Sequence, residues 1–379
     1  MSHARLPPGP ASPEELPREA LADPLRLLTH LAHTYEDIVR CPSSYGQSYL
    51  LNRPEYVRHF LHAPGWTRTD LLKIALGEST LSADGPEWRK KRRIVQPGFE
   101  RARIEGFGPL MVDEARKLAD AWAREEGPVD VDAAMMKLTL RIVVRSLFSA
   151  DVEPHVETVS KALTQVIADL GALTSTLFAV PVAFAPDRNR RMKAALGDLD
   201  RVVFEILDER RARPRAEWPP DLLTTLLTAR DPDTGDALDD TQLRDELVTM
   251  LVAGHETTAT MLGWAWYLLG EHPEVEAAWH ADLDARFGDR DPAPEDLLQP
   301  SFTRDLVQET LRLYPPVWAI ARRVTETQAL DGYRIEGRSA AFICPFLLHR
   351  HPGWWRDPER FDPSRFAEGE ARIERYAYV

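Results

Sequence analysis

A glutamate and a threonine, Glu256 and Thr257, stand side by side in the middle of a long apolar run. Leu247 to Val252 precede them, and Met261 to Leu269 follow. Asp239, Asp240 and Thr241 offer N-cap side chains, and Gly270 with Pro273 closes the run. About 30 residues at about 1.5 Å each make a helix of about 45 Å, enough to cross a domain. Apolar residues lie on all its sides, which predicts burial. Gly254, His255, Glu256, Thr257 and Thr258 do not sit at the centre of such a helix for stability. The Thr257 hydroxyl can bond back to the Ala253 carbonyl and loosen the ladder, a feature frequent at functional sites.

Two further groupings carry charge. Glu309 and Arg312 place an acid and a base three apart on one helix face, just before Pro315-Pro316 stops the helix. A buried pair of this kind is a scaffold device, because losing one partner strands a charge. Trp88-Arg89-Lys90-Lys91-Arg92-Arg93 is the densest basic run. It reads as a solvated helix face, with a nucleic-acid patch as a further alternative. At about 100° per residue, Trp88, Lys91 and Arg92 cluster on one side, while Arg89, Lys90 and Arg93 point away. Arg322-Arg323 opens a strand, so the two side chains go to opposite faces.

Four motifs in order resemble the haem-thiolate monooxygenases of the cytochrome P450 family. They are Trp88-x-x-x-Arg92, Ala253-Gly254-His255-Glu256-Thr257-Thr258, Glu309-x-x-Arg312, and Phe361-Asp362-Pro363-Ser364-Arg365-Phe366. Each is weak alone, but the four together span nearly the whole chain. The resemblance implies haem b as cofactor, with Trp88, Arg92 and Arg322 at its propionates and Ala253 and Gly254 beside it. It implies Thr257 next to the oxygen and Glu256 in the proton relay, because two protons must reach a distal oxygen inside an apolar pocket. Glu309, Arg312 and Arg365 would form a structural triad. The implied partners are an apolar small-molecule substrate, O2 and an electron-donor protein, a ferredoxin or a reductase. The resemblance makes Leu177 to Pro186 a lid over the substrate channel, a role weighed evenly against ordinary packing. Pro316 to Ile320 would line the pocket. His255, a lone histidine in an apolar helix, reads as a core residue rather than an iron ligand.

In the family a glycine-rich loop bearing the iron-ligating cysteine follows the Arg365 segment. Here the sequence reads Arg375-Tyr376-Ala377-Tyr378-Val379 and stops. The expectation is a fragment of such an enzyme without its axial cysteine. The alternative is a non-catalytic relative that binds an apolar ligand or a partner. Cys41 and Cys344 lack the loop setting a haem thiolate needs. Cys344 reads as a small hydrophobe in a strand over Ala340 to Phe346. No other metal site is expected.

Composition frames these residues. A net charge of −13 argues against nucleic acid as a partner. Two cysteines in 379 residues point to a reducing compartment without a disulfide framework. Met1 to Pro24 is a polar, Pro-rich leader with no apolar signal core, and no apolar run reaches membrane-spanning length. A soluble cytoplasmic protein is expected. Helical periodicity runs over Leu25 to Val39, Arg89 to Val95, Gly108 to Glu125, Ala133 to Phe148, Val156 to Leu170 and Asn189 to Arg213. Strand patterns occur at Tyr49 to Leu51, Ala319 to Val324 and Ala340 to Phe346. The expected fold is mainly α: one large α-rich domain, residues 25–379, with a small β-sheet.

Overall fold

The computed structural model describes residues 4–17, 23–35, 37–43, 46–150, 153–175, 186–231, 233–367 and 373–379. Its helices, in chain order, are α1 (Pro24–Tyr35), α2 (Pro54–His62), α3 (Leu71–Leu76), α4 (Gly85–Val95), α5 (Arg101–Gly106), α6 (Gly108–Trp122) and α7 (Val131–Phe148). There follow α8 (Val156–Ser175), α9 (Pro186–Ala212), α10 (Leu222–Thr228), α11 (Asp240–Glu271), α12 (Pro273–Phe287), α13 (Phe302–Leu313) and α14 (Pro345–Leu348). The strands are β1 (Ile38–Ser43), β2 (Gly46–Leu51), β3 (Trp66–Arg68), β4 (Ile320–Val324), β5 (Gln328–Leu330), β6 (Tyr333–Ile335) and β7 (Ala340–Ile343). The fold is helix-rich with a small mixed sheet, as the sequence pattern anticipates. The chain divides into two compact units.

The first unit comprises Met1–Leu71, Asp169–Asn189 and Gln308–Val379. Its main sheet runs β1-β2-β7-β4-β3, with β2 and β7 parallel and the other pairs antiparallel. Both faces are covered, which is why Tyr49-Leu50-Leu51 is apolar without alternation. Tyr49 and Leu51 join Val57 and Phe60 of α2 in one cluster. Leu50, Val39 and Cys41 join Leu27, Leu28 and Leu31 of α1 in another.

Two boundaries differ from the periodicity. The helix expected over Leu25 to Val39 ends at Tyr35, because Ile38 and Val39 pair with Leu51 and Leu50. The strand expected over Ala340 to Phe346 ends at Ile343. Pro345 has no N–H to give a ladder and instead opens α14, with Cys344 at its N-cap. The segment read as a leader contributes to this unit where it is described. Leu16 is buried, the Arg5 carbonyl accepts from Arg334 N, and the Pro8 carbonyl accepts from Arg40 N.

The second unit comprises Leu72–Ala168 and Arg190–Val307. Its longest element is α11, which packs along α7. The helix starts with a reciprocal cap: Asp239 Oδ1 accepts from Gln242 N at 2.8 Å, and Gln242 Oε1 accepts from Asp239 N at 3.0 Å. The expected all-round burial of α11 does not hold. Leu243, Leu247, Val248 and Leu251 are buried, but in the C-terminal half Trp264, Trp266 and Tyr267 are 36–52% exposed. Apolar composition gave no direction there, because packing covers only one side. Trp266 meets Trp122 edge-on, and Trp264 meets Tyr267 in the same way. Among the described residues, no helix is long and apolar enough to cross a membrane.

Candidate functional site

The middle of α11 holds the acid and the hydroxyl. Thr257 Oγ donates to the Ala253 carbonyl at 2.6 Å. This is the back-bond that a mid-helix threonine favours. Glu256 is half-buried and has no side-chain partner among the described residues. Burial alone pushes its carboxyl above the usual range, so it keeps its proton more readily than a surface glutamate. Thr258 is exposed. Gly254 faces α7: a Cβ there would stand 3.1 Å from Val143 Cγ2, so the missing side chain lets the two helices approach. His255 is buried beside α7, and burial lowers its imidazole to about 4. It is neutral at physiological pH.

On α4, Trp88 is half-buried and Arg92 exposed. Arg92 forms no ion pair among the described residues, which leaves its guanidinium available to an anion. Lys91 does not share that exposure. It turns inward with Ile94 and Val95, and its Nζ lies 3.6 Å from Glu246 Oε1 of α11. Glu246 also accepts from Thr80 N at 2.8 Å, and its neighbour Asp245 accepts from Glu78 N at 2.8 Å. Gly77, at φ +58°, passes so close to the Asp245 carboxylate that a Cβ would collide with it. The lead into α4 is thus fastened to α11. Sequence reasoning missed this role for Lys91 and Glu246. The available signal was the i, i+3 spacing from Trp88 to Lys91, together with two acids inside an apolar helix.

In the first unit, Glu309 and Arg312 are fully buried and doubly bonded, at 2.6 and 2.8 Å. Arg365 Nε approaches Glu309 Oε1 at 3.3 Å, and Asp362 N donates to the same oxygen at 2.9 Å. Arg312 also donates to the carbonyls of His349, Pro358 and Arg360, and Trp355 covers its face. His349 answers by contacting the Arg312 carbonyl through Nδ1, while Nε2 accepts from Val379 N. Burial lowers it to about 4.

On β4, Arg322 is half-buried over the Phe60 ring, while Arg323 is exposed and pairs with Asp70 at 2.7 Å. Cys344 donates from Sγ to the Trp318 carbonyl at 3.1 Å. Burial pushes this thiol, and that of Cys41, up to about 12. Of the proposed lid, Leu177 to Ala185 lie outside the described residues, and Pro186 opens α9.

A cytochrome P450 family model matches residues 18–379. The chain belongs to the cytochrome P450 family. Cyclooctatin synthase of Streptomyces melanosporofaciens is 34% identical over 368 residues, covering 94% of this chain and 78% of that protein. The cyclooctat-9-en-7-ol 5-monooxygenase of the same organism is also 34% identical, with the same coverage. The crystal structure of the cytochrome P450DA heme domain superposes with a TM-score of 0.86 at 24% identity, covering 99% of this chain and 85% of that one. Haem is the cofactor of this family. Within the second unit the residues suit part of its periphery: α4 carries an exposed guanidinium with no ion pair among the described residues, and α11 carries a small residue, Ala253, beside an acid and a hydroxyl. Neither cysteine fits the iron. A thiol raised to about 12 is not a thiolate at neutral pH.

Proposed function

We propose that the protein is a haem-dependent monooxygenase that places one atom of O2 into an apolar small molecule, with electrons from a separate ferredoxin or reductase. The observation that carries this reading is the pairing of a half-buried Glu256, without a side-chain partner among the described residues, with Thr257 on α11. A binding module has no use for an acid whose proton affinity is raised by burial next to a hydroxyl. The name of the 5-monooxygenase relative supports the same reaction type.

Arg92 would hold a propionate carboxylate of haem, and Trp88 would pack beside it. Bound haem supplies the redox centre at which O2 is reduced. Glu256, with its raised affinity for a proton, carries the proton at its carboxyl oxygen and reloads from solvent. Thr257 spends its hydroxyl proton on the Ala253 carbonyl, which leaves its oxygen lone pairs free to accept from a water or an acid. Ala253 presents little side chain, so a small molecule can approach the helix backbone there; Gly254, which the resemblance also placed beside haem, is instead packed against Val143 of α7. No step is assigned to an axial ligand, because neither Cys41 nor Cys344 suits that role.

The test is turnover under labelled O2. The haem-loaded protein, supplied with NADPH, reductase and ferredoxin, is offered a panel of apolar cyclic hydrocarbons and alcohols. One labelled oxygen per product molecule is expected. Glu256→Gln should lower the product rate on the order of 100-fold. Ligand binding without labelled product across the panel would favour the binding module.

A further inference from the structure

Lys91 is 3% exposed and Glu246 0%, and both lie in the second unit. The pair is a poor source of stability. At 3.6 Å the ammonium makes no hydrogen bond of good geometry, and Glu246 Oε2 has none either. A buried ion pair with unmet hydrogen bonds loses in desolvation much of what it gains in attraction, and its best-attested use is to fix register.

The surroundings leave the two residues to each other. Of the cations on α4, Arg89, Arg92 and Arg93 are exposed and Lys90 is half-buried, so Lys91 alone is inside. Arg93 is engaged by Asp231 and Asp233. On α11, the neighbouring Asp245 is committed to Arg244 at 2.9 Å and to Glu78 N. The oxygen of Glu246 that faces Lys91 also takes Thr80 N. One carboxylate therefore holds both α4 and the segment that leads into it.

Direction follows from helix geometry. With Lys91 fixed toward α11, Arg92 points about 100° and Trp88 about 60° to the same side of it. Rotating α4 by one residue step would expose Lys91 and turn Arg92 inward. We infer that Lys91 and Glu246 are a positioning pair, which sets the rotation of α4 on α11 and thereby aims Arg92 and Trp88 at the haem carboxylates. This inference rests on the proposed role of Arg92.

A double-mutant cycle on the full chain tests it, read by hemin titration and by hydrogen exchange. Arg92→Gln should weaken hemin affinity about tenfold in the wild-type background. In Lys91→Met/Glu246→Met, which removes both charges and keeps the bulk, cooperative unfolding should be retained. Hemin affinity should fall about tenfold there too, and adding Arg92→Gln should then cost less than twofold, because Arg92 is no longer aimed. Amide exchange in residues 77–95 should rise at least tenfold while residues 131–148 stay within threefold. Glu246→Gln alone should show the same local rise, and Lys91→Arg should restore protection relative to Lys91→Met. A full tenfold effect of Arg92→Gln in the double variant overturns the proposal, as does exchange that rises equally in both segments. If Arg92→Gln has no effect in the wild type, the role of Arg92 fails, and the exchange pattern alone decides whether the pair orients α4.

Discussion

Thr257 Oγ stands 2.6 Å from the carbonyl oxygen of Ala253, one turn earlier on α11. That carbonyl would otherwise serve only the helix ladder. Sharing it with a side chain loosens the turn at which Glu256 also sits.

The Thr257 hydroxyl should matter for proton handling and little for substrate affinity. In the haem-loaded protein, Thr257→Ala is expected to divert NADPH electrons to peroxide and to lower product per NADPH about tenfold or more. Substrate affinity should stay within about twofold, and Thr257→Ser should recover coupling. Peroxide and product assayed in parallel decide the matter. Full coupling in Thr257→Ala would remove the threonine from the relay.

Glu309 is shared by two guanidinium groups, one fully buried and one largely so. Glu309→Gln leaves both without a counter-charge. The expected loss is about 3–5 kcal/mol of stability, the range for breaking a buried pair from one side. Guanidinium-induced unfolding gives the value directly. A loss under about 1 kcal/mol would mean that the carbonyls around Arg312 suffice.

Gly254 should resist a methyl group. Gly254→Ala puts a Cβ 3.1 Å from Val143 Cγ2 and should cost about 1–3 kcal/mol through overpacking. Val143→Ala in the same chain should recover most of that cost, because it removes the atom in the way. Equal destabilisation with and without Val143→Ala would locate the strain elsewhere.

Acid should destabilise both units through buried histidines. His255 and His349 are held near 4 by burial, against about 6.5 in an unfolded chain. Between those values the unfolded chain binds protons that the folded chain refuses, so stability falls as pH drops from about 6.5 to about 4. Above 6.5 these groups add no dependence. Each contributes on the order of 3 kcal/mol across the full window. Urea midpoints at pH 7, 5.5 and 4.5 should show a shallower slope for His255→Leu than for wild type. An unchanged slope would assign the acid sensitivity to carboxylates instead.

Much of the site was legible because its signals are local. An acid beside a threonine in an apolar helix, and an acid and a base three apart before a proline pair, need only helical spacing to be noticed. The cap at Asp239 and the outward turn of Arg323 also follow from near neighbours. Cys344 was harder. Its apolar flanks look like strand, and only the proline after it decides that the ladder ends.

The sequence by itself determined the family and which helices bear the candidate residues. Those follow from residue type and from periods of 3.6 and 2, which one segment expresses alone. Tertiary structure decided what each side chain meets. Lys91 and Arg92 are adjacent in the same basic run, yet one is sealed against Glu246 and the other faces outward. Trp264 and Leu268 lie on one apolar helix, yet the first is exposed and the second buried. In both cases the difference is set by a partner more than 100 residues away in sequence or by the side on which packing falls. No local pattern encodes the distance between two segments that meet only in the fold.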